Sequence, residues 1–314
     1  MVNKVVCVVG PTACGKTKMG VALAKRFGGE VVSVDSMQIY RGMTIGTAAP
    51  TAEETEGIPH HMVAVADPAE SWSVARFTEQ ADCCIQDILC RGRRPVLVGG
   101  TGLYLDSILS GRTFAAGHSG GEVRRALQTE LAQGGIEPLY RQLQAIDPTA
   151  AARLHLSDEK RILRALEAFR ETGETITAHD ARTRLRPPKY RAYTIGLTFR
   201  DRADLYERID CRVDTMVAQG LLQEVEALLK SGLPETATAL QAIGYKQFLT
   251  VYRGGTPARD AVVEVKLRSR QYAKRQLTWL RRKEDIHWIL WEKTPDFPAG
   301  LQNATEYLLA QGLG

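Results

Sequence analysis

The sequence predicts an α/β fold in which a parallel-sheet core, containing a phosphate-binding P-loop, is interrupted by a helical insertion domain. Three observations lead there. Residues 10–17 read Gly-Pro-Thr-Ala-Cys-Gly-Lys-Thr, a full match to G-x-x-x-x-G-K-[ST]. The apolar run Lys4–Val9 precedes this loop and a helical stripe, Leu23, Ala24 and Phe27, follows it, which is the strand–loop–helix setting the motif requires. Helical patterns then separate two more apolar runs, Glu30–Val34 and Pro95–Val98, as expected of parallel strands covered on both faces.

Later strands are expected at Tyr193–Phe199 and Ile286–Trp291. Between the two sets, Gly111–Gly121 contains Gly111, Gly117, Gly120 and Gly121 and reads as a hinge. From Glu122 to Ala181 the pattern is helical. One helix opens at Ser157 as N-cap, buries Ile162, Leu163, Leu166 and Phe169, and ends near Gly173. Arg186-Pro187-Pro188-Lys189 breaks the pattern. The expected division is a catalytic core of residues 1–113 and 193–314, ending in long helices, around an insertion of residues 114–192.

With 314 residues, 44% hydrophobic and 25% charged, the chain has the composition of a soluble globular protein. No stretch reaches transmembrane length, so a cytoplasmic protein without a membrane partner is expected. The six cysteines show neither C-x-x-C nor zinc spacing and read as reduced thiols, several in apolar surroundings. Net charge is only +5, but its distribution is uneven. Lys266 to Lys283 holds eight basic residues and no acid, with Tyr272 and Trp279 interleaved. A second run holds Arg182, Arg184, Arg186, Lys189 and Arg191. Solvated helix faces mix both signs, so these blocks favour a polyanion such as nucleic acid. No obligate protein partner is implied.

Ligands of open parallel sheets bind outside the carboxyl ends of the strands. Three such ends carry chemistry here. The first strand ends in Gly10, Pro11, Thr12, Ala13, Cys14, Gly15, Lys16 and Thr17. Its backbone N–H groups and the following helix N-terminus suit phosphate oxygens, Lys16 adds a mobile cation, and Thr17 a hydroxyl for Mg²⁺. Read alone, the loop points to a di- or triphosphate, most simply a nucleotide. The second strand ends at Asp35, which fits a Mg²⁺ ligand, a general base, or a cap for the next turn. The third ends in Gly99-Gly100-Thr101-Gly102. Further on, Arg208 and Arg212 lie one turn apart on a helix with the buried stripe Leu205, Ile209, Val213 and Met216. Asp204 can pair with Arg208, whereas Arg212 has no acid at helical spacing and calls for an anion, either a phosphate or a tertiary carboxylate. His60-His61 is rejected as a metal pair, because adjacent residues point apart and no third ligand is near.

In combination these motifs resemble the tRNA dimethylallyltransferases, in order and over nearly the whole chain. The resemblance is carried by Gly10–Thr17, Asp35-Ser36-Met37-Gln38-Ile39-Tyr40, Ile45-Gly46-Thr47-Ala48, His60-His61, residues 97–104, Asp158–Glu167, Ala242-Ile243-Gly244-Tyr245-Lys246 and residues 270–279. It implies transfer of a dimethylallyl group from dimethylallyl diphosphate to the exocyclic amine of adenine 37 in the tRNA anticodon stem-loop, assisted by Mg²⁺. The P-loop would then hold a diphosphate leaving group rather than ATP. It further implies Asp35 as base, Thr101 beside the amine, and Lys16, Thr17 with Mg²⁺, and Arg208 or Arg212 on the diphosphate. RNA contacts would come from Asp35, Ser36, Met37, Gln38, Thr101, Glu159, Lys160, Arg161, Ile162, Leu163 and Arg275. One departure is visible: Ala49 stands where the family commonly has Lys after Ile-Gly-Thr-Ala. No Cys/His module follows the core, which suits the bacterial type. The rival readings are a P-loop kinase or NTPase acting on a small molecule, prenyl transfer to free AMP or ADP, and a nucleotide-gated RNA-binding switch.

Overall fold

The computed structural model describes residues 3–111, 121–185 and 187–313. Its first compact unit is built from Met1–Leu109 and Lys189–Gly314, the second from Ser110–Pro188. Apart from Gly111 and Gly121, the expected hinge lies outside the described residues, as does Arg186.

In the first unit the chain runs β1 (Asn3–Val9), α1 (Lys16–Arg26), β2 (Gly29–Val34), α2 (Ala52–Thr55), β3 (His60–His61), α3 (Val74–Cys90), β4 (Arg94–Gly99) and α4 (Gly102–Ser110). The second unit holds α5 (Glu122–Gly134), α6 (Ile136–Ile146), α7 (Pro148–Ala151), α8 (Glu159–Thr172) and α9 (Ile176–Arg184). The first unit resumes with β5 (Tyr190–Phe199), α10 (Arg202–Ala218), α11 (Leu221–Lys230), α12 (Tyr245–Tyr252), α13 (Ala258–Leu280), β6 (Ile286–Trp291) and α14 (Phe297–Ala310).

All six strands are parallel, in the order β3-β2-β4-β1-β5-β6. Their continuous Val-rich runs follow from burial on both faces. Cys7, Val9, Val32, Val34 and Leu97 enter one apolar core, while Val6, Val8, Val31, Val96 and Val98 enter the other. Strand β5 begins at Tyr190, earlier than expected, because Tyr190 pairs in register with Asn3 and buries its ring. Strand β3 was not expected. Two histidines carry no strand pattern, and only their register with Val31 and Val32 makes them one.

The insertion has its own core of Leu127, Leu139, Leu143, Ala151, Ile162, Leu163 and Leu166. Helix α8 ends at Gly173 in the left-handed conformation, as expected. Its N-cap is Asp158 rather than Ser157, whose hydroxyl is instead bonded to the His155 ring at 2.9 Å. Phe169 is only half-buried.

Candidate active site

Strand register builds the site. Val34 lies opposite Gly99 on β4, and Gly99 opposite Val9 on β1. The next residues, Asp35, Gly100 and Gly10, therefore leave the sheet side by side. Neighbouring strands lie about 4.8 Å apart, so the three tips span about 10 Å.

The phosphate loop is held from behind. Gly10 has φ +153°, and a Cβ there would come within 2.3 Å of the Leu197 carbonyl oxygen. Ala13 takes φ +66° and Gly15 takes φ +90° at the N-cap of α1, turning the loop tightly enough to converge its N–H groups. Trp291 Nε1 donates to the Cys14 carbonyl at 3.0 Å, while burial pushes the Cys14 thiol up. Lys16 Nζ donates to the Pro11 carbonyl at 2.6 Å. Thr17 lies half-exposed in the first turn of α1.

Charge is concentrated here without being neutralised. Lys16, Asp35 and Arg212 form no ion pair within 4.0 Å among the described residues. They nevertheless feel one another. Burial pulls Lys16 below the usual lysine range, Arg212 adds to this, and Asp35 opposes it. Burial likewise lowers Arg212, against Asp35 and Glu54. The pair expected between Asp204 and Arg208 is not formed. Arg208 turns instead to the phosphate loop, with Nε 3.4 Å from the Ala13 carbonyl and its guanidinium over Phe199.

Asp35 Oδ1 accepts from the N–H groups of Met37 at 2.8 Å and Gln38 at 3.3 Å, so the capping arrangement is present. Two phenols face this carboxylate. Tyr104 is raised to about 12 by burial, then by Tyr40 and Asp35; Tyr272 is raised by burial and then Asp35. Thr101 Oγ1 is buried beside the Tyr272 phenol, and hydrogen bonding from Thr101 and Gln276 opposes the rise of that phenol. Ser36 and Met37 are half-buried. The amide of Gln38 is engaged internally, accepting from Ser33 and donating to the Thr47 and Ala48 carbonyls.

Other expected site residues separate. Glu159, Lys160 and Arg161 are exposed on α8, but Ile162 and Leu163 are buried in the insertion core and present no side chain to a ligand. Their burial follows the expected stripe of the helix. The basic segment is also less bare than its sequence. Lys266 pairs with Asp214, Arg268 with Glu264, Arg270 with Asp210 and Lys283 with Asp106. Those acids lie on other helices or one turn back. Lys274, Arg275, Arg281 and Arg282 remain exposed. In the second run, Arg182 pairs with Glu174 and Lys189 with Asp82. All six cysteines are free thiols: Cys7 and Cys14 are buried, Cys84 is half-buried, and Cys83, Cys90 and Cys211 are exposed. His60 Nδ1 meets the Ile58 carbonyl, His61 Nε2 meets Glu30, and no metal-binding cluster occurs among the described residues.

Four residues near the site escaped sequence reasoning. Tyr104 and Tyr272 face Asp35 as described. Glu224 accepts from the Thr44, Ile45 and Gly46 N–H groups, the Thr44 hydroxyl and the Tyr245 phenol, anchoring the loop that Gln38 also grips. Gln276 bridges two of the strand-tip loops. Tyr104, Tyr272 and Gln276 fall in stretches that carry the family resemblance, and Tyr272 also stands out as an aromatic within the basic run, but none was assigned a role. Beside α12 and α13 lies a polar cavity of about 570 Å³, lined by Gln241, Lys246, Gln247, Arg268, Gln271 and Arg275 among others.

The family model described as IPP transferase matches residues 38–283, and that described as isopentenyl transferase matches residues 3–64. The chain belongs to the tRNA dimethylallyltransferase family. The tRNA dimethylallyltransferase of Acetivibrio thermocellus is 41% identical over 311 residues, covering 99% of both chains. That of Geobacillus kaustophilus is 44% identical, covering 98% of this chain and 97% of its own. Among solved structures, the full-length tRNA isopentenylpyrophosphate transferase of Bacillus halodurans is 40% identical with a TM-score of 0.72, covering 99% of this chain and 96% of that one. A eukaryotic dimethylallyltransferase described as acting on tRNA is 30% identical with a TM-score of 0.81, covering 98% of this chain and 78% of that one. A member of this family is a prenyltransferase that modifies tRNA, which sets aside the small-molecule kinase. Among the described residues no helix is long and apolar enough to cross a membrane.

Proposed function

We propose that the crevice at the tips of β2, β4 and β1 carries transfer of a dimethylallyl group from dimethylallyl diphosphate to the N6 amine of adenosine 37 in the tRNA anticodon stem-loop. The observation that carries this reading is the juxtaposition of one carboxylate, Asp35, with two cations, Lys16 and Arg212, that it does not neutralise. Held-apart charges of this kind suit a reaction in which negative charge builds on one group while a proton leaves another.

In the transfer, the amine nitrogen bonds to the allylic carbon as that carbon's bond to diphosphate oxygen breaks. The electron pair leaves with the diphosphate. Backbone N–H groups of the phosphate loop, Lys16 and Arg212 stabilise that charge, while Arg208 braces the loop at Ala13. The adenine amine is a weak nucleophile because its lone pair is delocalised into the ring, so loss of its proton to Asp35 must accompany bond formation. The buried Thr101 hydroxyl, just past the carboxyl end of β4, supports a role in orienting the amine. Thr17 would hold Mg²⁺. The donor set fits, since Mg²⁺ is commonly bound by few protein oxygens together with substrate phosphates. Bound there, the ion would neutralise diphosphate oxygens.

The acceptor base must leave the anticodon stack, at a cost of a few kcal/mol, roughly. Exposed Lys274 and Arg275 on α13, and Lys160 and Arg161 on the insertion, support phosphate contacts that hold the RNA while this happens. The polar cavity beside α12 offers hydrogen-bonding groups for neighbouring nucleotides. Labelled dimethylallyl diphosphate incubated with unmodified tRNA tests the reading. Label is expected in RNA, abolished by Asp35→Ala with tRNA binding retained. Label confined to free AMP or ADP, or ATP hydrolysis without RNA labelling, overturns it.

A further inference from the structure

Helix α13 reaches into the site through one amide. Gln276 is only 7% exposed, and both of its polar atoms are used. Its Oε1 accepts from the Thr12 N–H at 3.0 Å, and its Nε2 donates to the Gly100 carbonyl at 3.1 Å. Thr12 belongs to the phosphate loop. Gly100 immediately precedes Thr101, whose hydroxyl is buried beside the Tyr272 phenol. The approach is too close for any side chain on the loop: a Cβ on Gly100 would lie 2.2 Å from Gln276 Nε2. One turn further along α13, a Cβ on Gly102 would lie 2.2 Å from the Trp279 ring. Strand pairing fixes β1 against β4 only as far as Val9 and Gly99. Beyond that register the two loops need another tie.

We propose that Gln276 is a positioning residue that sets the separation between the diphosphate cradle and the Thr101 hydroxyl. The inference rests on the crevice being the transfer site. Gln276 acts through Thr12 and Gly100, and its amide also meets the Tyr272 phenol. An amide suits the task because it offers one acceptor and one donor in a fixed plane, and its two targets are a backbone donor and a backbone acceptor. A misplacement of about 1 Å between reacting groups can cost about 10²-fold in rate.

The distinguishing variants are Gln276→Met and Gln276→Glu. Methionine keeps the volume and removes both hydrogen bonds. Glutamate, when ionised, keeps the acceptor for Thr12 but sets a negative oxygen against the Gly100 carbonyl; when protonated it restores the donor. Around this position the phosphate loop carries Cys14 and Lys16, the loop 99–102 carries no titratable side chain, and α13 carries Tyr272 and Arg275. The experiment measures kcat and KM for dimethylallyl diphosphate and for tRNA between about pH 5.5 and 8.5, the span in which a buried carboxyl titrates, together with thermal melting. Gln276→Met is expected to lose about 10²-fold in kcat, with the KM for tRNA and the melting temperature little changed. Gln276→Glu is expected to be impaired at high pH and to recover relative to the parent protein as pH falls. Parent-like kcat in both variants overturns the inference. So does a melting loss that accounts for the rate loss without recovery of the glutamate variant at low pH. Asp35→Ala in the same assay separates the two layers. If it is inactive while both Gln276 variants are fully active, the crevice stands and the positioning role falls; if it stays active, both fall.

Discussion

The two ends of β2 hold carboxylates that behave in opposite ways. Glu30, near the start of the strand, is buried and fully matched: Arg91 contacts both its oxygens, His61 Nε2 lies at 2.7 Å and Arg93 Nε at 3.5 Å. The Arg91 hydrogen bond, opposed by burial and assisted by His61, lowers its pKa to about 2. Asp35, just past the other end, has only two backbone N–H groups on Oδ1, although Lys16 and Arg212 are close enough to feel it. One end compensates its charges and gains rigidity; the other keeps them apart and stays reactive. In a parallel sheet the carboxyl ends are where loops converge on a ligand, which is why the proposed transfer is placed at the uncompensated end.

The sharpest way to break this comparison is to remove each carboxylate and read rate against stability. Asp35→Ala should lose about 10²–10⁴-fold in kcat, with a melting temperature close to that of the parent protein. Glu30→Gln should do the reverse, destabilising by about 1–3 kcal/mol because the charge-assisted bonds to Arg91 and His61 are lost, although Arg91 keeps Asp87, while the folded fraction turns over normally. Acid unfolding sharpens the second half. The folded pKa of Glu30 lies below its unfolded value, so its stabilisation is complete above about pH 4.5 and is lost as pH falls towards about 2. The gap between parent and Glu30→Gln denaturation curves should close across that window. A constant gap would mean that the glutamate's charge is not what stabilises this end.

The cations at the reactive end should also divide. Arg212→Ala is expected to cost about 10²-fold in kcat/KM for dimethylallyl diphosphate. Arg208→Ala should cost less, since it braces a carbonyl and packs on Phe199. Equal losses would show that both arginines act on the diphosphate. The smallest effect is expected at the exposed cations of α13. Lys274→Ala and Arg275→Ala should each weaken tRNA binding and reduce the salt slope of the association constant by about 1. The already paired Lys266 should change it less.

Much of the site was legible because it is local. The loop 10–17 and the Asp35 tip announce themselves by residue types whose chemistry needs no distant partner. Gln276 and Glu224 did not, since a glutamine or glutamate within a helix looks solvent-facing until the fold brings Thr12, Gly100 or the 44–46 amides against it. The internal pairing of the basic segment was hidden for the same reason. Its acids, Asp210, Asp214 and Asp106, are supplied from elsewhere in the chain.

By itself the sequence determined the parallel α/β core, the helical nature of the insertion, the P-loop motif and the acid at the second strand tip, because backbone sterics, burial periodicity and motif spacing act over short stretches. Tertiary structure alone decided which charges are matched and which are left standing. Charge compensation depends on distances between strands and helices far apart in the chain, and those are fixed only once the sheet has chosen its order.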